Sequence, residues 1–389
     1  MSFFNLSHMI GPEDLSLIGN PQISYFSSVF RRPSPFDLYS DVLPETPGSS
    51  EFKISSSHHL LKSVALQTVI TYSANITIQT NIGTTILDNI SYRFGDNSTV
   101  FEKLSGSYIE IYNQLHTPLN VKSQYIKNGS YIEVVPGNKL NTLSYSGGVF
   151  NVDTLKSEEG DTIKTILPIP FSFSQNIGDS LPIFLIDPDN KLTFKVVNNV
   201  NSNDFTIEQK LICDFIHLDE EELQRFKKSP NQYIYTMVIE PTMITTNNTF
   251  TMDLMEFKHV KTIIWKNIRQ MPQITISVNN VKYVDNLDWY YFSRLFPMKA
   301  GLPGCGRSIE NKKIYNDDSI CYYTFGLKEG TAGEENTSNG SVNSSLNQII
   351  LTGLGNTEVY FLCYNIVTFS LTPTGSGMTP VIKGGNQFS

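Results

Sequence analysis

A period of two runs through this chain. Eight short runs, many alternating apolar and polar residues, carry it: 65–71 (ALQTVIT), 75–80 (NITIQT), 131–135 (YIEVV), 191–197 (KLTFKVV), 233–240 (YIYTMVIE), 260–265 (VKTIIW), 273–278 (QITISV) and 358–364 (EVYFLCY). Successive side chains of an extended strand point to opposite faces, so alternation gathers the apolar members on one face, whereas a helical turn of ~3.6 residues scatters them. Turn clusters such as Pro136-Gly137-Asn138 and Asn279-Asn280 bound the runs, which is the pattern of half-buried antiparallel strands. Composition agrees. Charged residues make up only 17%, against ~25% in ordinary globular chains. Asn, Ser, Thr and Tyr fill the deficit and suit turns and wide polar surfaces better than helix faces. With 40% hydrophobic and 12% aromatic residues there is ample material for a core, well outside the composition of a disordered chain. The chain reads as all-β.

Three segments break the alternation with helical spacing: 106–115 (GSYIEIYNQL), 219–228 (DEEELQRFKK) and 288–296 (DWYYFSRLF). In the middle one Asp219 caps the N-terminus and Glu222 stands three residues later in capping-box position. Acidic residues lie at the positive end of the helix dipole, and Arg225, Lys227 and Lys228 lie at the negative end. A length of 389 residues predicts about two domains, and the polar, turn-prone stretch 200–204 (VNSND) sits near the midpoint. The expected division is an N-terminal arm over 1–21, a first β domain over 22–203 and a second over 204–389. No sequence repeat is visible between the halves.

The formal charge of −8, from 29 basic and 37 acidic residues, argues against nucleic acid as a partner, since tracking phosphates needs a basic face. The first twenty residues have no basic n-region and are interrupted by Gly11, Pro12, Glu13 and Asp14, unlike a secretory signal. No apolar run approaches the ~18 residues of a membrane span. Cys213, Cys305, Cys321 and Cys363 show no CxxC spacing, so neither a disulfide framework nor a zinc ribbon is indicated, and a reducing compartment is the simplest fit. Asn-x-Ser/Thr matches such as 89–91 and 97–99 are expected by chance in a chain this rich in Asn and Ser.

Gly19-Asn20-Pro21-Gln22-Ile23-Ser24-Tyr25-Phe26, followed by Val29-Phe30-Arg31-Arg32 and Pro35-Phe36, resembles the N-terminal signature of the major capsid proteins of nucleocytoplasmic large DNA viruses, the iridovirus, phycodnavirus and mimivirus group. Further resemblances follow in chain order. Residues 106–115 are similar to that family's GDWLDIWNEL, and 168–171 with Leu181-Pro182 to its PLPFFF and ALP segment. Residues 213–226 are similar to DYIYLDTEERRRF, 260–265 to VKELIW, 322–327 to the YSFAL strand and 364–367 to the YNVL strand. After Leu327 the family's PSGTxNFSR motif is reduced here to scattered Asn, Ser and Gly. The resemblance implies a double jelly roll: two eight-stranded antiparallel sandwiches, with the short helices inserted. It further implies a structural capsid protein whose homotrimers form pseudo-hexagonal capsomers that tile an icosahedral shell. Its expected partners are itself, neighbouring capsomers and minor capsid proteins, together with an internal viral membrane reached through the N-terminal arm. The expected location is the virion capsid, assembled in the host cytoplasm. A minor capsid protein and a transient assembly scaffold are alternatives on the same fold, and a glycan-binding jelly-roll module is the alternative of another class.

Little in the sequence points to chemistry. His58 and His59 are adjacent, so on a strand they face opposite ways and cannot easily share a metal ion. Asp219-Glu220-Glu221-Glu222 lacks the loop of an EF-hand and reads as a capped helix start. Cys213, Cys321 and Cys363 sit in apolar runs and read as core residues; Cys305, between two glycines, is the loop-like thiol, with no His paired to it. Trp265 and Trp289 read as core. With six His and no GxSxG, HExxH or Walker loop, no catalytic, cofactor or metal site is expected. Arg31 and Arg32 close the best-matched motif and are the candidate subunit-contact residues, where the bidentate fork of Arg favours carboxylates.

Overall fold

The structure is a computed structural model that describes residues 36–383, apart from 118–131, 135–154, 304–319, 327–340 and several shorter stretches between elements. The N-terminal arm, the 19–32 motif with Arg31 and Arg32, and Cys305 lie outside the described residues. Twelve described strands precede residue 219: β1 (Phe36–Pro44), β2 (Glu51–Ile54), β3 (Leu60–Tyr72), β4 (Ile76–Ile78), β5 (Leu87–Phe94), β6 (Glu102–Ser105), β7 (Ile132–Val134), β8 (Leu155–Ser157), β9 (Thr162–Ile169), β10 (Leu181–Pro182), β11 (Leu192–Asn198) and β12 (Phe205–Leu218). Ten follow: β13 (Gln232–Ile244), β14 (Thr249–Asp253), β15 (His259–Lys266), β16 (Ile274–Val278), β17 (Val281–Leu287), β18 (Ile320–Thr324), β19 (Val342–Asn343), β20 (Gln348–Thr352), β21 (Thr357–Leu371) and β22 (Met378–Lys383).

Their hydrogen bonding repeats one plan twice. In the first set one sheet has the order β1-β12-β3-β9, extended by β7 with β10 on β3, and the other has the order β2-β11-β5-β6. In the second set the orders are β13-β21-β15-β18, with β19 and β22 as additions, and β14-β20-β16-β17. Leaving out the short additions and the separate β4-β8 pair, each set counts eight strands, and in each the last returns to lie beside the first. That is the double Greek key of a jelly roll, and the two rolls have the same strand order.

The sheet plan moves the expected boundary at 203/204. β12 pairs with β3 from Phe205↔Tyr72 to Ile216↔Leu60 and with β1 from Phe36↔Leu218 to Pro44↔Lys210. It is the eighth strand of the first roll, and a cut at 204 would open that sheet. The polar stretch at 200–204 therefore joins the seventh strand to the eighth, and the sheets change over between Leu218 and Gln232.

Alternation sets each core. In β3, Val64, Leu66, Ile70 and Tyr72 are buried while Ala65, Gln67, Val69 and Thr71 between them are half-buried. Tyr92 fills the centre of the first roll, with ring centroids 5.0 Å from Phe171 and 5.5 Å from Phe173 in edge-on geometry. Such pairs contribute ~0.5–1.5 kcal/mol beyond their buried area. In the second roll Trp265 is fully buried, 5.3 Å from Phe292, and Trp289 is half-buried at the edge of that core.

The three segments of helical spacing are helical, and one short helix, α1, lies outside them. After α1 (Ile82–Ile86) comes α2 (Gly106–His116), whose cap Ser105 accepts from the Tyr108 N–H at 3.2 Å. α3 (Glu220–Lys228) joins the rolls, and Asp219 Oδ1 accepts from the Glu222 N–H at 2.8 Å. The third segment begins as a wide π turn, Tyr291–Leu295, and continues as α4 (Phe296–Lys299). Pro297, with no N–H to donate, stands at the junction. α2 and this segment both lie between the fifth and sixth strands of their rolls.

Candidate functional site

The core of the first roll runs on into the β13-β21-β15-β18 sheet of the second, which keeps a separate core of its own around Trp265, and the seam between the rolls is the most elaborate feature among the described residues. On the first roll the seam is built by the edge strand β6 and by α2; on the second it is built by β13 and β21. Tyr108 of α2 lies 5.7 Å, centroid to centroid, from Tyr360 of β21. Ile109 and Ile111 belong to the same buried cluster as Val238, Ile264, Tyr322 and Leu362. The seam exists because α2 turns an apolar face, including Tyr108, Ile109, Ile111 and Leu115, away from water.

A carboxylic acid is enclosed beside it. Glu102, on β6, is fully buried; the Ser172 N–H donates to both its oxygens at 3.1 Å, and the Ser172 hydroxyl donates to Oε2 at 2.8 Å. Loss of hydration pushes this carboxyl up to about 7, against the pull of those donors and of Tyr92. Asp179 is pushed up to about 6 by burial, with Asn176 and Lys261 acting against it. Tyr233 is pushed up to about 12 by burial and by Asp179, and Tyr235 is raised well above its usual range by burial, then by Tyr233 and Asp179. A general base must reach a substrate proton within hydrogen-bond distance, and Glu102 has no exposed surface to do so. The network is structural.

Beside the seam, Asp88, Asn89, Lys103, Ser105, Tyr108, Val238 and Tyr360 line a cleft of about 210 Å³, below the ~300–1,000 Å³ of ligand pockets. His58 and His59 diverge, as their adjacency predicts. His58 stacks on Phe215 at 4.1 Å with Nδ1 2.6 Å from the Tyr39 hydroxyl, whereas His59 stacks on His217 at 3.9 Å and its Nδ1 accepts from the Leu218 N–H at 3.0 Å. Burial lowers the pKa of both. No group of three His, Cys, Asp or Glu among the described residues could hold a metal ion. Cys213, Cys321 and Cys363 are buried and unbridged, and burial pushes the Cys213 and Cys363 thiols up. On α3, Glu222 carries an ion pair to Arg225 at 3.0 Å.

Two apolar edges were not anticipated from sequence. β1 is exposed along almost its whole length, with Phe36, Leu38 and Val42 each about half open to solvent. β17 is likewise bare at Val281, Tyr283 and Leu287, and the patch continues over Leu295 and Met298. Both are edge strands of their sheets. Alternation reveals that a strand has an apolar face, but not whether that face is covered.

Three comparisons bear on the fold. No family profile matches the chain. The major capsid protein of Pyramimonas orientalis virus is 24% identical over 273 residues, covering 66% of this chain and 62% of that protein, so the chain matches less than two thirds of its relative's length. Among solved structures, VP54 of PBCV-1 superposes with a TM-score of 0.66 at 16% identity, covering 93% of this chain and all of that one. The Faustovirus major capsid protein gives 0.62 at 8% identity, covering 92% and 94%. The chain is a double jelly roll, and the resemblance of its sequence to the major capsid proteins of nucleocytoplasmic large DNA viruses extends to its whole architecture.

Proposed function

We propose that this chain is a structural capsid protein, without enzymatic activity, that assembles as a homotrimer into pseudo-hexagonal capsomers of a large DNA virus. The observation that carries the reading is the repeated strand order: two rolls of one plan, joined through a shared core, superpose over nearly their full length on two viral capsid proteins. Residues 1–21 act as an arm toward the inner membrane or minor capsid proteins, and the rolls divide after Leu218. Arg31 and Arg32 pair with carboxylates at a subunit contact. Neighbouring capsomers and minor capsid proteins are the partners, nucleic acid is not, and assembly takes place in the host cytoplasm before the chain resides in the virion shell.

Two measurements test this. Light scattering of the purified chain should return three times the 43.8 kDa of one copy, and a monomer mass at micromolar concentration refutes the trimer. Quantification in purified mature virions should find many copies. A few copies per particle would make it a minor capsomer, and presence only in immature particles would make it a scaffold.

A further inference from the structure

The cleft beside the seam has no part in the capsid reading, and its lining has a character of its own. Asp88 and Asn89 stand at the start of β5. β6 runs alongside with Ser105 opposite Asn89 and Lys103 opposite Ser91, which sets Asn89, Ser105 and Lys103 on one face of the sheet, since residues two apart on a strand share a face. Val238 of β13 and Tyr360 of β21 bring the second roll into the lining, and Tyr108 of α2 completes it.

Hydrogen bonding leaves part of this lining open. Among the described residues the Asp88 and Asn89 side chains bond only to each other, Asn89 Nδ2 donating to Asp88 Oδ2 at 2.6 Å, so Asp88 Oδ1 and Asn89 Oδ1 are available as acceptors. The Tyr360 hydroxyl donates to Glu358 at 2.6 Å and keeps acceptor capacity. Burial, then Glu358, raises its pKa above the usual range, so it stays neutral. Lys103 supplies the ammonium of the lining and Asp88 the carboxylate. Their charges cancel.

Size and charge narrow the occupant. At ~30 Å³ of liquid per water, a cleft of about 210 Å³ has the room of roughly seven waters, enough for one six-membered ring with its substituents and too little for a longer chain. A lining without net charge favours neither an anion nor a cation. Several acceptors, one ammonium donor and a short apolar wall are held in place by two packed rolls before anything binds. Such a preorganised site suits a neutral group with hydroxyls on adjacent carbons and C–H surface between them. A single sugar unit has that chemistry.

We propose that this cleft binds one neutral sugar unit at the end of a glycan, with Asp88 and Asn89 accepting from adjacent hydroxyls, Lys103 donating to a third oxygen and Val238 covering the C–H face. The site adds a binding activity to the chain and does not depend on the trimer.

The test uses the full chain produced in bacteria, which add no glycan of their own, and the methyl glycosides of glucose, galactose, mannose and N-acetylglucosamine. The methyl group stands where the rest of a glycan would leave the cleft. Saturation-transfer NMR at millimolar sugar should show transfer to the ring protons of at least one of them. Asp88→Ala and Asn89→Ala should each weaken that binding about tenfold, with melting curves matching wild type because neither side chain holds another part of the fold. Should the first variant melt lower, Asp88→Asn, which keeps the shape of the side chain, takes its place and should weaken binding likewise. Absence of transfer to all the sugars overturns the inference. So does binding of unchanged strength in the folded variants, since the sugar then sits elsewhere. Tighter binding of the methyl glycoside of a sialic acid, which bears a carboxylate, overturns the neutral class.

Discussion

Replacing Glu102 with Gln isolates the buried acid at the seam. Its carboxyl sits at about 7 rather than 4.5, with burial the largest cause and the Ser172 donors acting against it. At ~1.4 kcal/mol per pKa unit that displacement is worth roughly 3 kcal/mol. Between those two values the folded chain retains a proton that the unfolded chain has released. Stability therefore falls as pH rises from 4.5 through about 7, and the full cost is present above that window. Gln abolishes the ionisation and keeps the shape and one acceptor for Ser172, while losing charge-assisted hydrogen bonds of ~1–2 kcal/mol. A net gain of about 1–2 kcal/mol at pH 8 should remain, falling away toward pH 5, where Glu102 is protonated. With an unfolding entropy of ~2.1 cal/mol/K per residue, that gain raises Tm by about 1–3 °C for a chain of this length. Melting of both proteins across this pH range, at one fixed concentration because association shifts apparent stability, reads the difference directly. Asp179, held at about 6, contributes a slope of the same sign in both proteins and cancels. A variant whose Tm follows pH as steeply as wild type, or lies below it by the same amount at every pH, refutes the reasoning.

Gly106→Ala should be among the most damaging small substitutions, because a Cβ there would fall on the backbone carbonyl oxygens of Leu87 and Thr84, which cannot move aside as a side chain could. Overpacking of this kind costs ~1–3 kcal/mol, and the loss should appear as a lower Tm and less soluble protein. Asp219→Ala removes the acceptor for the Glu222 N–H, costs ~1 kcal/mol and should speed hydrogen exchange over 220–228 more than elsewhere. Cys213, Cys321 and Cys363 should resist alkylation in the native protein and label on unfolding; labelling of any of them at the rate of a free thiol contradicts their burial.

How much of this was legible in the sequence depended on where each strand lies. The run at 273–278 became β16, whose burial alternates as its sequence does, and that at 260–265 became β15, which is buried on both faces and was legible from its short β-branched apolar run between turns. β12 was not recognised as a strand by its period. It lies between β1 and β3, and its second half, LICDFIHL, is apolar toward both faces, which blurs alternation into a continuous run. The misplaced boundary followed, since without β12 the polar turn before it looked like the end of a domain. β1 was missed for the opposite reason: FDLYSDVLP mixes Asp, Tyr and Ser into the alternation and is open to solvent, so no local signal separates it from a loop. Asp219 and Glu222 were legible because a cap is a local device of four residues. Glu102 was not, since its burial depends on Ser172, seventy residues away.

The bare edges also predict how copies associate. Twelve large apolar side chains are exposed in the described residues, ten of them on β1 and the stretch from β17 to α4. Burying the exposed half of such a side chain is worth ~1 kcal/mol, so one contact offers on the order of 10 kcal/mol. Bringing two proteins together costs ~4–15 kcal/mol in lost freedom before any affinity appears, so a single contact is marginal. A closed ring of three copies makes three contacts for two associations, and the third contact forms with no further loss of freedom. Dilution should therefore take the assembly from trimer to monomer without accumulating dimer. Mass photometry across a dilution series would show it, and a wild-type dimer persisting over a wide concentration range would mean that one contact is far stronger than the exposed edges can supply.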